Sequence, residues 1–185
     1  MGIIEQLASE RGFEAMGTCS AKDLVARPEV RAMCAANTCQ AYGRSWACPP
    51  ACGGIEDFEL QMHEYEDCLV VQTVAELEDD FDIETMQEAG ELQKRRVLDL
   101  VEAIEDAGLS AQTMTLTAGT CTLCAACTYP DAPCRFPDKR LVSMEAAGLV
   151  VSEVCELAAV PYNHGPLTIT YSGCVLYNSS QMVAD

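Results

Sequence analysis

Four cysteines within fourteen residues constrain this chain more than any other feature of its sequence. They lie in the segment CTLCAACTYPDAPC, where Cys121, Cys124 and Cys127 follow a C-x2-C-x2-C spacing and Cys134 comes after a proline-rich insert. Sulfur atoms three residues apart in a turning chain can converge on one centre, and the insert turns the chain back to supply a fourth sulfur. The segment is therefore expected to fold around a metal.

The spacing favours an iron–sulfur cluster over zinc. Bacterial ferredoxins hold [4Fe–4S] clusters with C-x2-C-x2-C and a further Cys-Pro, whereas structural zinc usually takes two separated C-x2-C pairs. The segment departs from the ferredoxin pattern, because six residues precede Cys134 and Pro137 lies three residues beyond it. We expect a [4Fe–4S] cluster on Cys121, Cys124, Cys127 and Cys134, with zinc or no metal as the alternatives.

A second set of four cysteines occurs earlier in the chain, in CAANTCQAYGRSWACPPAC. Its spacing is less diagnostic, but the prolines after the third cysteine stiffen the loop and remove backbone donors. Tyr42, Trp46 and Phe58 are either an apolar shell around a metal or ordinary core residues. We expect Cys34, Cys39, Cys48 and Cys52 to bind a second [4Fe–4S] cluster, with zinc as the alternative. If Cys52 is not a ligand, one iron is open to a substrate.

Twelve cysteines in a chain of 185 residues also bear on the compartment. The first residues, MGIIEQLASERGF, lack the basic and long apolar regions of a signal peptide, so a cytoplasmic protein with reduced thiols is expected. Clustered cysteines in a reducing compartment are more often metal ligands than disulfides. The remaining four cysteines are scattered and are interpreted as small buried hydrophobic residues. They are Cys19, Cys68, Cys155 and Cys174.

The charge balance excludes some classes of partner. The 11 basic and 29 acidic residues give a formal net charge of −18, so nucleic acid and anionic lipid should be repelled. No run approaches the roughly 18 apolar residues of a membrane helix. The acidic surface indicates either solubility or docking to a basic partner protein.

Periodicity indicates an α+β fold, with about four strands in a mixed sheet, helices packed on it and two cysteine-rich loops, in a single domain spanning residues 1–185. The predicted strands are FEAMGTCS, DCLVVQTV, QTMTLTA and LTITYSGCVLY, the last with a possible hairpin at Ser172-Gly173. The predicted helices are residues 3–9, one that starts at Pro28 and ends near Cys34, IEDFELQMHEY, a long amphipathic helix over residues 84–107, MEAAG capped by Ser143, and residues 151–159.

At these motifs the chain resembles a prokaryotic cysteine-rich family described as predicted metal-binding proteins, a domain of unknown function frequent in anaerobes. The resemblance covers most of the chain and lies in CAANTCQAYGRSWACPP, in LTAGTCTLCAACTYPDAPCRFPDKRLVSMEAAGL and in the region between them. The family's first motif has three cysteines ending in Cys-Pro-Pro, which Cys34, Cys39 and Cys48 match. The resemblance implies metal binding and no particular activity.

Outside the cysteines, few residues suggest chemistry. Arg135, Lys139 and Arg140 follow the second motif closely, and they either offset a cluster's charge, bind an anion or pair with local acids such as Asp131 and Asp138. His63 and His164 are the only histidines. His164 lies in a proline-bounded turn, where a surface or structural role is expected, with a general acid or a metal ligand as the alternatives. No nucleotide-binding glycine motif is present.

Three functions remain open at this stage. The first is electron transfer by two [4Fe–4S] clusters to a redox partner protein. The second is an enzyme with a substrate-accessible cluster iron, and the third is a zinc-stabilised interaction module without redox chemistry. The substrate and the oligomeric state cannot be read from the sequence.

Overall fold

The chain has an α+β fold, and a computed structural model describes its residues 2–182. This part contains five α-helices and a mixed sheet of five strands. The helices are α1 (Ile3–Ser9), α2 (Pro28–Ala35), α3 (Ile55–Met62), α4 (Ile83–Asp106) and α5 (Val151–Leu157). The strands are β1 (Ala15–Ser20), β2 (Asp67–Glu76), β3 (Thr113–Thr117), β4 (Val142–Ser143) and β5 (Thr168–Tyr177).

The sheet is built around two long central strands. Its order is β1-β2-β5-β3-β4, and only the β3–β4 pair is parallel. β2 and β5 pair along their full length, from Asp67 opposite Tyr177 to Glu76 opposite Thr168. Because these strands are flanked on both sides, they can be apolar on both faces, as their runs of β-branched residues predict.

Each face of the sheet carries its own apolar cluster. On one face α1 and α4 cover Leu69, Val71 and Val175. The other face presents Cys68, Val70, Cys174, Leu176 and Leu116 to α3, α5 and the segment that leads into α5. Alternate residues of each strand point to opposite faces, which is why adjacent positions of β2 divide between the two clusters.

The fifth strand was not predicted. β4 has only two residues, too few to show alternation, and it pairs with the end of β3 through Leu116–Val142 and Thr117–Ser143. The prediction that Ser143 caps a helix over MEAAG is also wrong, because residues 144–148 form turns. Ser143 does cap that turn, since its Oγ accepts a hydrogen bond from the Ala146 N–H at 3.1 Å.

The prediction of a hairpin at Ser172-Gly173 is wrong as well, because β5 runs through both residues without a break. Gly173 is instead a point of close approach. A Cβ on this residue would lie 2.9 Å from the Leu116 carbonyl oxygen and 3.3 Å from Gln93 Nε2. Gly173 is therefore required because neighbouring chain segments leave no room for a side chain, and not because the chain turns there.

The other helices largely confirm the predictions. α4 begins after Asp82, whose Oδ1 accepts a hydrogen bond from the Thr85 N–H at 3.1 Å, and it ends before Gly108, at φ 74°. Its buried face includes Gln93, which the apolar pattern could not indicate. In the part of the chain that is described, no helix combines the length and apolar character needed to span a bilayer.

Apart from Cys34 at the end of α2, the cysteines of the two motifs lie in two segments without helix or strand. The first cysteine loop, residues 36–54, connects α2 to α3, and the second cysteine loop, residues 118–141, connects β3 to β4. β3 and β4 form the edge of the sheet opposite β1. The second loop is thus anchored at both ends by neighbouring strands, because its two flanking strands pair with each other.

Candidate metal centre

The first cysteine group comprises Cys34, Cys39, Cys48 and Cys52. Cys34 lies in the last turn of α2, and the other three belong to the first cysteine loop. The loop is closed by its own backbone, since the Cys48 N–H donates to the Ser45 carbonyl and the Cys52 N–H to the Cys48 carbonyl, both at 3.1 Å. Cys48 is buried, Cys34 and Cys52 are half-buried and Cys39 is exposed.

The four thiols of this group influence one another's ionisation. Burial raises the pKa of Cys48 to about 11, and the neighbouring thiols of Cys39, Cys52 and Cys34 add to that rise against a hydrogen bond from Ser45. Burial, Cys39 and Cys52 likewise raise the pKa of Cys34. The four sulfurs are therefore close enough to repel as thiolates, and a bound cation would be needed to hold them ionised together.

An arginine contacts this group directly. Arg31 Nη1 lies 3.8 Å from Cys52 Sγ and donates to the Gly53 carbonyl at 3.0 Å. Burial raises the pKa of the Cys52 thiol, and the charges of Arg31 and Arg140 oppose that rise. Arg31 Nε and Nη2 are buried without a hydrogen-bond partner. Positive charge is thus placed beside the last cysteine of the group.

The second cysteine group comprises Cys121, Cys124, Cys127 and Cys134. All four line one cavity of about 200 Å³ in the second loop. The opposite wall comes from the first loop, through Ser45, Trp46 and Ala47. Cys134, which follows the proline-rich insert, thus lines the same cavity as the other three cysteines.

Cys127 is surrounded by hydrogen-bond donors. Burial alone would raise the pKa of its thiol, but the backbone N–H groups of Tyr129, Trp46 and Thr128 and the Ser45 hydroxyl lower it. Hydrogen bonds to the charged form of a group favour ionisation. Donors from both loops therefore stabilise the thiolate, which is the form that binds metals.

Trp46 connects the two loops. Its Nε1 donates to the Ala132 carbonyl at 3.0 Å, and its ring meets that of Tyr129 edge to face, with 5.0 Å between centroids and 89° between planes. Of the two interpretations of the aromatic residues, Phe58 fits the core, where it is buried. Trp46 instead lies at the junction of the loops, so the two cysteine groups are neighbours.

The basic residues near the motifs do not pair with local acids. Arg44, Arg135 and Arg140 line the cavity of the second cysteine group, and Arg135 Nη1 donates to the Ala126 carbonyl at 2.9 Å. Within residues 2–182 the ion pairs are Arg11–Glu10, Arg27–Glu153 and Arg96–Glu14. The interpretation of Arg135, Lys139 and Arg140 as partners of Asp131 and Asp138 therefore fails.

The described side chains form no ready-made site for a single metal ion. Among residues 2–182, no three His, Cys, Asp or Glu side chains are grouped closely enough to hold one ion. Zinc sulfur ligands all lie about 2.3 Å from the metal, whereas a cubane places four irons and four sulfides between its cysteines. The four cysteines of the second group line a cavity of about 200 Å³.

The remaining cysteines form a third set, the core cysteines Cys19, Cys68, Cys155 and Cys174. The last three are fully buried, as expected. They are not scattered, however, because Cys19 pairs with Cys68 between β1 and β2, and the Cys68 thiol also contacts that of Cys174. These contacts depend on strand pairing, for which the cysteine spacing in sequence gives no signal.

Both histidines have structural roles. His63 ends α3, and its Nε2 makes a 2.8 Å hydrogen bond with the Leu24 carbonyl. His164 Nε2 lies 3.0 Å from Oε1 of the buried Gln72, whose Nε2 in turn donates to Ser172 Oγ and to Cys155 Sγ. Neither histidine lines a cysteine cavity, so the sequence expectation agrees with their positions.

Comparison with known proteins places the chain by family alone. No curated protein and no solved structure shows significant similarity to it. A family model described as "Predicted metal-binding protein (DUF2284)" matches residues 18–177, which include both cysteine loops. The match covers well over half of the sequence, and the chain therefore belongs to this predicted metal-binding protein family.

Proposed function

We propose that this metal-binding protein holds two [4Fe–4S] clusters and transfers electrons to a partner protein. The observation that carries the proposal is the cavity lined by Cys121, Cys124, Cys127 and Cys134, whose far wall belongs to the loop of the first cysteine group. Clusters bound at the two groups would accept and release single electrons. The chain would position them side by side.

The surroundings of the second group favour a cluster over zinc. Three arginines line its cavity, and cationic groups offset the negative charge of a cubane held by four thiolates. The N–H groups directed at Cys127 would raise the potential of such a cluster, because hydrogen bonds to sulfur stabilise the reduced state. A structural zinc site has no comparable need for surrounding positive charge.

The first group supports a second cluster less directly. Its four thiols interact electrostatically, and Arg31 contacts Cys52 in the way that the donors contact Cys127. We assign all four cysteines as ligands. A three-cysteine site, in which Cys52 is free, would leave one iron accessible.

Electron transfer is supported by the contact between the loops and by the charge of the chain. Trp46 packs against Tyr129, so clusters on the two groups would be neighbours. The net charge of −18 favours a basic redox partner and opposes nucleic acid. Within residues 2–182 no cysteine forms a disulfide, in keeping with a reducing cytoplasm.

The test is anaerobic purification followed by counts of iron, sulfide and zinc per chain and by the visible spectrum. Two cubanes require about eight irons and about eight sulfides, with a broad absorption shoulder. About four irons would restrict the proposal to the second cysteine group. One or two zincs in a colourless protein would refute it and leave a structural metal protein.

A further inference from the structure

A second, larger cavity lies beside the first cysteine group. Its volume is about 590 Å³, within the roughly 300–1,000 Å³ of small-molecule sites. Cys52 and Gly53 form one wall, α3 forms another, and β3 and the start of β4 complete it. It is distinct from the cavity lined by the second cysteine group, since none of those cysteines lines it.

The cavity touches the proposed metal centre at one residue. Cys52 lines it, and Cys52 interacts electrostatically with Cys34 and Cys48. A molecule bound there would lie against the first cysteine group. Arg140 lines both this cavity and that of the second group, so a single guanidinium lies between the two.

Arg140 has unused hydrogen-bonding capacity. Its Nε is buried without a partner, and within the described chain it forms no ion pair. Guanidinium groups bind carboxylates through two parallel N–H donors. Asp57 is the one carboxylate among the described residues that line the cavity, and it makes no ion pair with Arg140. No carboxylate of the described chain therefore neutralises the Arg140 guanidinium at the cavity wall, and its charge can attract an anion from solution.

Part of the remaining wall is apolar, beside the polar side chains of Asp57, Gln61 and Thr115. Phe58, Met114 and Val142 line the cavity, and Leu60 on α3 is 69 % exposed beside it. Covering an exposed leucine at the rim of a cavity with an apolar ligand removes apolar surface from water, which favours binding. A cation without a carboxylate partner in the described chain, beside an apolar patch, matches a molecule that has a charged end and an apolar body.

We propose that this cavity binds a small organic carboxylate, with its carboxylate on Arg140 and its apolar part against Phe58, Met114 and Val142. The inference rests on the proposed function only in placing this ligand beside a metal centre. It deepens that function, because it names the class of molecule that would have access to the first cysteine group.

The experiment is calorimetric titration of benzoate and, separately, of inorganic phosphate into the anaerobically purified protein, with iron counted on the same sample. We expect saturable benzoate binding and weaker phosphate binding, since phosphate cannot use the apolar wall. Arg140→Gln should weaken benzoate binding about tenfold or more, as expected for the loss of a charge-assisted pair. Lys139→Gln, the matched control, should change it less than about twofold, because Lys139 does not line this cavity.

A second variant protects the test if Arg140→Gln loses iron or fails to fold. Gln61→Trp adds bulk at an exposed position of α3 on the cavity wall, and it should abolish benzoate binding while the iron content stays unchanged. Absence of benzoate binding in a protein with full iron would overturn the cavity proposal and leave the clusters standing. Benzoate binding that depends on Arg140 in a protein without iron would support the cavity proposal and overturn the clusters. Equal weakening by Lys139→Gln, or equally tight phosphate binding, would also overturn the proposal.

Discussion

The two cysteine loops and the core cysteines place the same side chain in opposite surroundings. In the loops, arginines, backbone N–H groups and a serine hydroxyl surround the sulfurs, and the pKa of Cys127 is lowered. In the core, Cys68 lies against other thiols and apolar side chains. The hydrogen bond with the Cys174 thiol, together with burial, raises the pKa of Cys68 well above the usual value. The surroundings of Cys127 thus favour a thiolate, whereas burial in the first cysteine group and in the core favours thiols.

The difference teaches that proximity of sulfurs does not make a metal site. The thiols of Cys19, Cys68 and Cys174 contact one another across the sheet, yet they are supported by strand backbone whose N–H groups are already used in the ladder. Cys127 lies in a loop, where the N–H groups of Thr128, Tyr129 and Trp46 point at its sulfur. The backbone around a cysteine therefore influences whether its thiol or its thiolate is favoured.

The largest expected effect is a difference in metal content between a variant of a loop cysteine and a variant of a core cysteine. Cys124→Ser should remove about half of the iron, because a cubane lost from the second cysteine group takes about four irons with it. Cys174→Ser should keep all the iron but lower the free energy of unfolding by about 1–3 kcal/mol, since it buries a hydroxyl in the core. Iron analysis and urea unfolding measure the two effects. Loss of iron from Cys174→Ser would contradict the comparison.

The next largest effect is expected from Gly17→Ala, a substitution in β1 that leaves the cysteine loops unchanged. A Cβ on Gly17 would overlap the Ala158 carbonyl oxygen and lie 2.6 Å from Val160 Cγ1. Gly17→Ala should therefore cost about 3 kcal/mol of unfolding free energy, from overpacking of β1 against the end of α5. The substitution Gly43→Ala, where a Cβ would meet nothing within 4 Å but φ is 66°, isolates the cost of backbone strain alone. A Gly17→Ala protein as stable as the parent would show that β1 is free to shift.

A smaller effect tests the contact between the two loops. Trp46→Phe keeps an aromatic ring against Tyr129 but removes the hydrogen bond to the Ala132 carbonyl. The loss of one hydrogen bond costs about 1 kcal/mol, so the melting temperature should fall by about 2–4 °C. Tyr162→Phe, at an exposed position, is the control. An unchanged melting temperature would mean that the loops are held together by other contacts.

The smallest expected effect comes from the Arg96–Glu14 ion pair, which lies at the edge of the sheet opposite the second loop and depends on pH. Partial burial opposes ionisation of Glu14, but the hydrogen bonds from Arg96 and the Val74 N–H, with the Arg96 charge, lower its pKa. A lowered pKa stabilises the fold above the unfolded value, near 4.5, and this stabilisation is lost as the pH falls through the folded value.

Glu14→Gln should therefore cost about 0.5 kcal/mol at pH 7, in keeping with a partly exposed pair, and less near pH 3. Urea unfolding at the two pH values measures the difference. Glu10→Gln, which removes the weaker 3.5 Å pair with Arg11, serves as control. A cost for Glu14→Gln that is the same at both pH values would show that charge is not its cause.

Much of the fold could be predicted because its elements are long or clearly punctuated. The 24 residues of α4 show a helical period, and Gly108 ends it at positive φ. β4, with two residues, shows no pattern of its own and exists only because β3 offers it an edge. Gly173 was misread as a turn for the same reason, since its requirement comes from the Leu116 carbonyl of a neighbouring strand.

By itself the sequence determined the α+β class, the family and the two cysteine motifs, because local spacing and periodicity carry that information. Only the tertiary structure decided that Trp46 joins the loops, that Arg140 lies between two cavities and that Cys19, Cys68 and Cys174 form a row. The physical reason is the same in each case. These contacts join residues far apart in the chain, and they are set by strand pairing and loop packing, which no local pattern encodes.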